Sequence, residues 1–187
     1  MFITTKCPPG NAGRERETID ESLKALGVDF VDLWLVHWPP NGEARPDTWK
    51  AFAEALDQGK TRAIGVSNYS VAQIDELIAA TDVAPALNQI PWSPFRYDAA
   101  LAGELAARRV VLEGYSPLKD SDLGHPVLRE IAEAHGKTAA QVILRWHVER
   151  GFVVIPRSAR WERIEQNFDV FDFELSDGEL AKLDGLG

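Results

Sequence analysis

Val31-Asp32-Leu33-Trp34-Leu35-Val36-His37-Trp38-Pro39 is an apolar run that stops at two polar-tipped rings and a proline. It reads as a strand buried on both faces, the kind that parallel sheets contain. Five more runs of similar size lie along the chain: Phe2–Thr5, Ala63–Val66, Ala86–Asn88, Val110–Glu113 and Phe152–Ile155. Gly, Pro, Asn or Ser residues punctuate them, as expected at strand ends. Between the runs, apolar residues recur three and four apart, as in Ile19, Leu23 and Leu26, or Ile74, Leu77 and Ile78. That spacing puts one apolar stripe per helix toward a core.

Helix punctuation supports this pattern independently. Ser70-Val71-Ala72-Gln73, Thr138-Ala139-Ala140-Gln141 and Ser176-Asp177-Gly178-Glu179 fit the capping box, in which side chains satisfy the orphaned N–H groups of a helix start. The third is the weakest, because Gly178 disfavours helix. Gly27, Gly59 and Gly136 follow helical stretches, where a residue free to adopt positive φ ends the helix.

Six alternations of buried strand and helix imply parallel strands joined by right-handed crossovers. Two α/β architectures satisfy that pattern, an open doubly wound sheet and part of a closed eight-fold barrel. Gly-rich phosphate loops of the Rossmann or Walker kind are absent, which removes the main sequence support for those readings. A TIM (β/α)8 barrel takes roughly 250 residues, about 31 per unit, so this chain has room for about six units.

The composition suits a single globular domain over residues 1–187, with 45% hydrophobic and 26% charged residues and no break that marks a linker. A formal charge of -9 repels nucleic acid and anionic membrane surfaces, so any phosphate must be met by a few local basic groups. The one cysteine, Cys7, excludes an internal disulfide and a thiolate-rich zinc site. A reducing compartment follows, with a reactive thiol as the alternative. No secretory signal opens the chain and no apolar run approaches the ~20 residues of a membrane span, so a cytoplasmic location is expected.

The polar residues share one register. Lys6 follows the first run, His37 and Trp38 the second, Ser67 and Asn68 the third, Gln89 the fourth, Tyr115 and Ser116 the fifth, and Arg157 and Ser158 the sixth. In a parallel barrel the C-terminal strand ends open on one face, where such folds place their chemistry. Each residue alone has a plainer explanation. Lys6 suits a solvated loop entrance, His37 a hydrogen-bonded core site, Asn68 a left-handed turn, and Tyr115 a core position. Gln89 and Ser116 suit the satisfying of backbone groups. The common register is what those readings leave unexplained.

These residues carry a family resemblance. Phe2-Ile3-Thr4-Thr5-Lys6, the 31–39 segment, Gly59-Lys60-Thr61-Arg62-Ala63-Ile64-Gly65-Val66-Ser67-Asn68-Tyr69 and Asn88-Gln89-Ile90 resemble successive signatures of the aldo-keto reductases. So do Tyr115-Ser116-Pro117-Leu118, Gln141-Val142-Ile143-Leu144-Arg145-Trp146, and Ile155-Pro156-Arg157-Ser158 followed by Arg163-Ile164-Glu165-Gln166-Asn167-Phe168. The resemblance implies an incomplete TIM barrel and an oxidoreductase that moves hydride between NADPH and the carbonyl of an aldehyde or ketone. By position, Tyr115 would stack on the nicotinamide, and Ser67, Asn68 and Gln89 would hold its carboxamide. Ser116 and Leu118 would line the pyrophosphate and ribose. Arg157, Ser158 and Arg163 would grip the 2′-phosphate, and Gln166 and Asn167 would contact the adenine.

Of the catalytic groups, Lys6 matches the lysine that lowers the pKa of the proton donor, and His37 the histidine that orients the carbonyl. Trp38 matches an aromatic wall of the substrate pocket. The proton-donor tyrosine and its aspartate have no counterpart. In the family they belong to two βα units that precede the Thr-Lys strand, so the chain is expected to be N-terminally truncated and weak or inactive as it stands. Two open parallel edges would then favour self-association. A non-catalytic NADP(H)-binding or interaction module, or a decayed gene product, is the alternative reading. Trp92 and Asp120–His125 hint at the rest of the substrate pocket, although Trp92 within Pro91-Trp92-Ser93-Pro94 suits a packed turn equally well.

Overall fold

A computed structural model describes all 187 residues, Met1–Gly187. Its strands are β1 (Thr4–Cys7), β2 (Leu33–Val36), β3 (Ile64–Ser67), β4 (Leu87–Pro91), β5 (Val111–Tyr115) and β6 (Val153–Ile155). The helices are α1 (Glu15–Leu26), α2 (Pro46–Asp57), α3 (Val71–Thr81), α4 (Ala99–Ala107), α5 (Pro126–His135), α6 (Ala139–Glu149), α7 (Trp161–Phe168) and α8 (Asp177–Asp184). The strands form one sheet in chain order, β1-β2-β3-β4-β5-β6, with parallel registers such as Lys6 opposite Leu35 and Tyr115 opposite Ile155. This is an incomplete TIM barrel of six strand–helix repeats.

All six expected strands form, and most extend further toward their C-terminal ends than the apolar runs do. The first spans Thr4–Cys7 rather than Phe2–Thr5, because the ladder to β2 begins at Thr4 and leaves Phe2 exposed. Lys6, Ser67, Gln89 and Tyr115 therefore lie inside strands, near their ends, and not in the loops that follow. Backbone pairing continues past the point where apolar composition stops.

The chain forms two compact units, Met1–Gln89 with Gly103–Val111, and Ile90–Ala102 with Leu112–Gly187. In the first, β2 is buried on both faces as its sequence predicts. Trp34 stacks on Phe52 of α2 with ring centroids 3.6 Å apart, while Leu33 and Leu35 pack with Leu87 on the other face. Gly65 permits that closeness, since a Cβ there would lie 2.8 Å from Leu35 Cδ2 and 2.8 Å from the Leu87 carbonyl oxygen. In the second unit, Trp146, Tyr97, Trp92 and Phe152 make an aromatic cluster of edge-on and tilted contacts. Trp92 is buried in it, so Pro91–Pro94 is a packed turn and not a pocket wall.

All three capping boxes form, including the one at Ser176. Gly27 and Gly136 end α1 and α5 in the left-handed region, at φ 67° and 64°. No helix is long and apolar enough to cross a membrane.

Candidate cofactor and active site

In the first unit, the ends of β1 to β4 bring together Lys6, His37, Ser67, Asn68 and Gln89. The Lys6 ammonium donates to Gln89 Oε1 at 2.5 Å. Ser67 Oγ donates to the Gln89 carbonyl at 2.8 Å, a bond set by the β3–β4 register that places Ser67 opposite Gln89. Asn68 Nδ2 donates to the His37 carbonyl at 3.2 Å and to Ser67 Oγ at 3.0 Å. Asn68 has φ 64°, so it is both the left-handed turn residue and a member of the cluster. A short amide side chain tolerates that backbone where most residues do not.

The His37 imidazole titrates below its ordinary 6.5, because partial burial and then the Lys6 charge both disfavour its protonation. A neutral imidazole beside an ammonium can donate one hydrogen bond to a carbonyl oxygen while the ammonium stabilises charge building there. Trp38, next in the chain, is 47% exposed. Neighbouring Cys7 is buried, and burial together with the Glu15 charge pushes its thiol up to about 11. It stays protonated at neutral pH, which removes the reactive-thiol alternative.

In the second unit, the loop after β5, the loop after β6 and α7 line a groove of about 490 Å³. Ser116 and Leu118 form part of one wall. Arg157, Ser158, Arg163, Gln166 and Asn167 supply the other. Every residue of this unit assigned to the cofactor thus lines one groove, except Tyr115, which precedes Ser116 at the end of β5. Ser116 has φ 52° and its carbonyl accepts from the Lys119 N–H at 3.2 Å, closing a tight turn. Ser158 Oγ accepts from the Arg160 N–H at 3.1 Å, which fixes the hydroxyl at the start of α7.

Sequence reasoning missed Lys119, Thr138 and Pro156, which also line the groove, and of the Asp120–His125 segment that it offered, only Leu123 does so. Lys119 directly follows the Tyr115–Leu118 motif, and that adjacency was the available signal. Thr138 was visible only as a helix cap. Asp120 and His125 serve the fold, Asp120 by pairing with Arg96 at 2.6 Å and His125 by capping α5.

The groove carries three cations, Lys119, Arg157 and Arg163, and no carboxylate lines it, in a chain of net charge -9. That donor set fits a ligand with several phosphate charges, because guanidinium and ammonium groups hold such oxygens by charge-assisted hydrogen bonds. The model of the aldo/keto reductase family matches residues 1–187. This chain belongs to that family. A morphine 6-dehydrogenase from Pseudomonas putida is 47% identical over 203 residues, covering all of this chain and 69% of the relative. The methylglyoxal reductase DkgA of Escherichia coli K12 is 40% identical over 191 residues, covering 98% of this chain and 70% of its own.

Among solved structures, an aldo/keto reductase from Brucella melitensis superposes with a TM-score of 0.94 at 39% identity, covering all of this chain and 73% of that one. A mutant of Gox0644 in complex with NADPH gives 0.95 at 33% identity, over 99% of this chain and 70% of the other. By this kinship the chain is an oxidoreductase of the aldo-keto reductase type.

Proposed function

We propose that this aldo-keto reductase chain binds NADPH and serves the reduction of an aldehyde or ketone, and the carboxylate-free basic groove is the observation that carries the reading. The NADPH-bound structural neighbour supports the cofactor, and the names of the relatives support a carbonyl or alcohol substrate. Arg157, Ser158 and Arg163 grip the 2′-phosphate, Gln166 and Asn167 meet the adenine, and Ser116 and Leu118 line the pyrophosphate and ribose. Tyr115 lays its ring on the nicotinamide, while Ser67, Asn68 and Gln89 hold the carboxamide and so select the exposed face. NADPH, when bound, supplies the hydride.

As the carbonyl oxygen gains charge, neutral His37 donates a hydrogen bond to it and the Lys6 ammonium stabilises it. Trp38 bounds the substrate. The tyrosine that protonates this oxygen in the family is not among residues 1–187, and loss of a general acid costs about 10²–10⁴-fold in rate. Turnover by these residues alone is therefore expected to be low, with cofactor binding retained.

Fluorescence titration tests the proposal. The chain should bind NADPH more tightly than NADH. Arg163→Ala should weaken NADPH at least about tenfold, as expected for a lost charge-assisted contact, with little change for NADH. Equal loss for both cofactors removes the phosphate assignment.

A further inference from the structure

His147 is a fully enclosed titratable side chain that the proposed reaction does not use. Its Nδ1 lies 2.8 Å from the Ile143 carbonyl oxygen, one turn back on α6, and its Nε2 lies 3.3 Å from the Trp92 carbonyl oxygen, just beyond β4. The Trp146 ring meets the imidazole edge-on at 4.9 Å. A leucine would fill this volume without the cost of burying polar atoms. The imidazole adds fixed orientation, because it is flanked by carbonyls of separate elements and the single N–H of the neutral ring donates to one of them.

A third contact is steric and points to the site. Gly114 is not among the glycines with positive φ, so its backbone does not demand glycine. Space does. A Cβ at 114 would lie 3.0 Å from His147 Nε2, 3.2 Å from His147 Cδ2 and 3.1 Å from Trp92 Cβ. The β5 backbone at Gly114 therefore packs against the imidazole with no room for a side chain, one residue before Tyr115.

We propose that His147 is a positioning residue for the cofactor, which through Gly114 sets the end of β5 and hence the Tyr115 ring that receives the nicotinamide. The proposal rests on the reading of Tyr115 as the stacking residue. Its effect belongs to the nicotinamide end alone, since the adenosine end is assigned to residues of the groove.

That restriction supplies the test. NADPH and adenosine 2′,5′-bisphosphate, which carries only the adenosine end, are titrated against the wild-type chain and the variants His147→Ala, His147→Gln, Gly114→Ala and Tyr115→Ala. His147→Ala and Gly114→Ala should each weaken NADPH about tenfold, the scale of a misplaced aromatic contact, and leave the bisphosphate unchanged. His147→Gln should recover most of the NADPH affinity, because its amide fills much of the same space and its nitrogen can donate to the Trp92 carbonyl.

NADPH affinity unchanged in both variants, or parallel loss of both ligands, overturns the proposal. If circular dichroism shows that His147→Ala does not fold, Gly114→Ala decides the matter with the same two ligands. Unchanged NADPH affinity in Tyr115→Ala would instead remove the stacking assignment and the brace with it. Failure of the brace alone is distinct, because there Tyr115→Ala weakens NADPH and the His147 variants do not.

Discussion

At the scale of single residues, the cluster of Lys6, His37, Ser67, Asn68 and Gln89 is held by bonds among its own members. The Lys6–Gln89 contact joins a residue assigned to catalysis to one assigned to the carboxamide, so a change at either is expected to disturb both roles. The depressed His37 pKa is directly measurable. An NMR titration should place the His37 midpoint below 6.5, and Lys6→Met should move it upward by removing the second of its two causes. A wild-type midpoint at or above 6.5 would show that neither burial nor the Lys6 charge disfavours the protonated ring. The residue types of this cluster were legible in the sequence because each stands at the end of an apolar run. Which of them bond to one another was not, since those partners lie up to 83 positions apart.

At the scale of elements, two glycines make opposite predictions. Gly65→Ala in β3 should destabilise the chain by about 1–3 kcal/mol in urea unfolding, because the added methyl meets the backbone of β4, which cannot step aside. Gly178→Ala in α8 meets no atom within 4 Å and has no positive φ, so it should stabilise by up to about 1 kcal/mol. Stabilisation by the first, or clear loss from the second, would contradict the packing described. The sequence exposed Gly178 as a local compromise within its capping box. It did not expose Gly65, because nothing local distinguishes a glycine required by a neighbouring strand from one that is merely tolerated. His147 was missed for the same reason, as its partners come from Trp92 and Gly114.

At the scale of the whole molecule, acid should act in two stages. His147 titrates below its ordinary 6.5 because burial outweighs the help of its two carbonyl partners. The unfolded chain thus takes up a proton that the folded one refuses, so stability is whole above pH 6.5 and falls as the pH drops below it. Burial would raise Glu149, but the Leu175 N–H and Arg145 outweigh it and hold the carboxylate below its ordinary 4.5. Its contribution is lost only at lower pH. The melting temperature should fall as the pH drops below about 6.5, and His147→Gln should make that first stage shallower, leaving the part contributed by His37, which is depressed likewise; an unchanged slope would show that His147 does not govern it. The outer strands give a further expectation. Val153 and Ile155 of β6 are each more than 40% exposed, and such an edge favours pairing with another chain. Sedimentation should reveal association, and a compact monomer at all concentrations would refute it.

The sequence by itself determined the order of six strands and their helices, the caps at Ser70, Thr138 and Ser176, and the residue types at each strand end. Those features follow from local periodicity and from hydrogen bonds spanning a few residues. Only the tertiary structure decided that Lys119 and Thr138 join Arg157 and Arg163 around one groove, that Trp92 is core, and that Cys7 is inert. It also decided that Gly114 yields its space to His147. Each of these depends on burial and on approach between segments far apart in the chain, and no reading of neighbouring letters contains those distances.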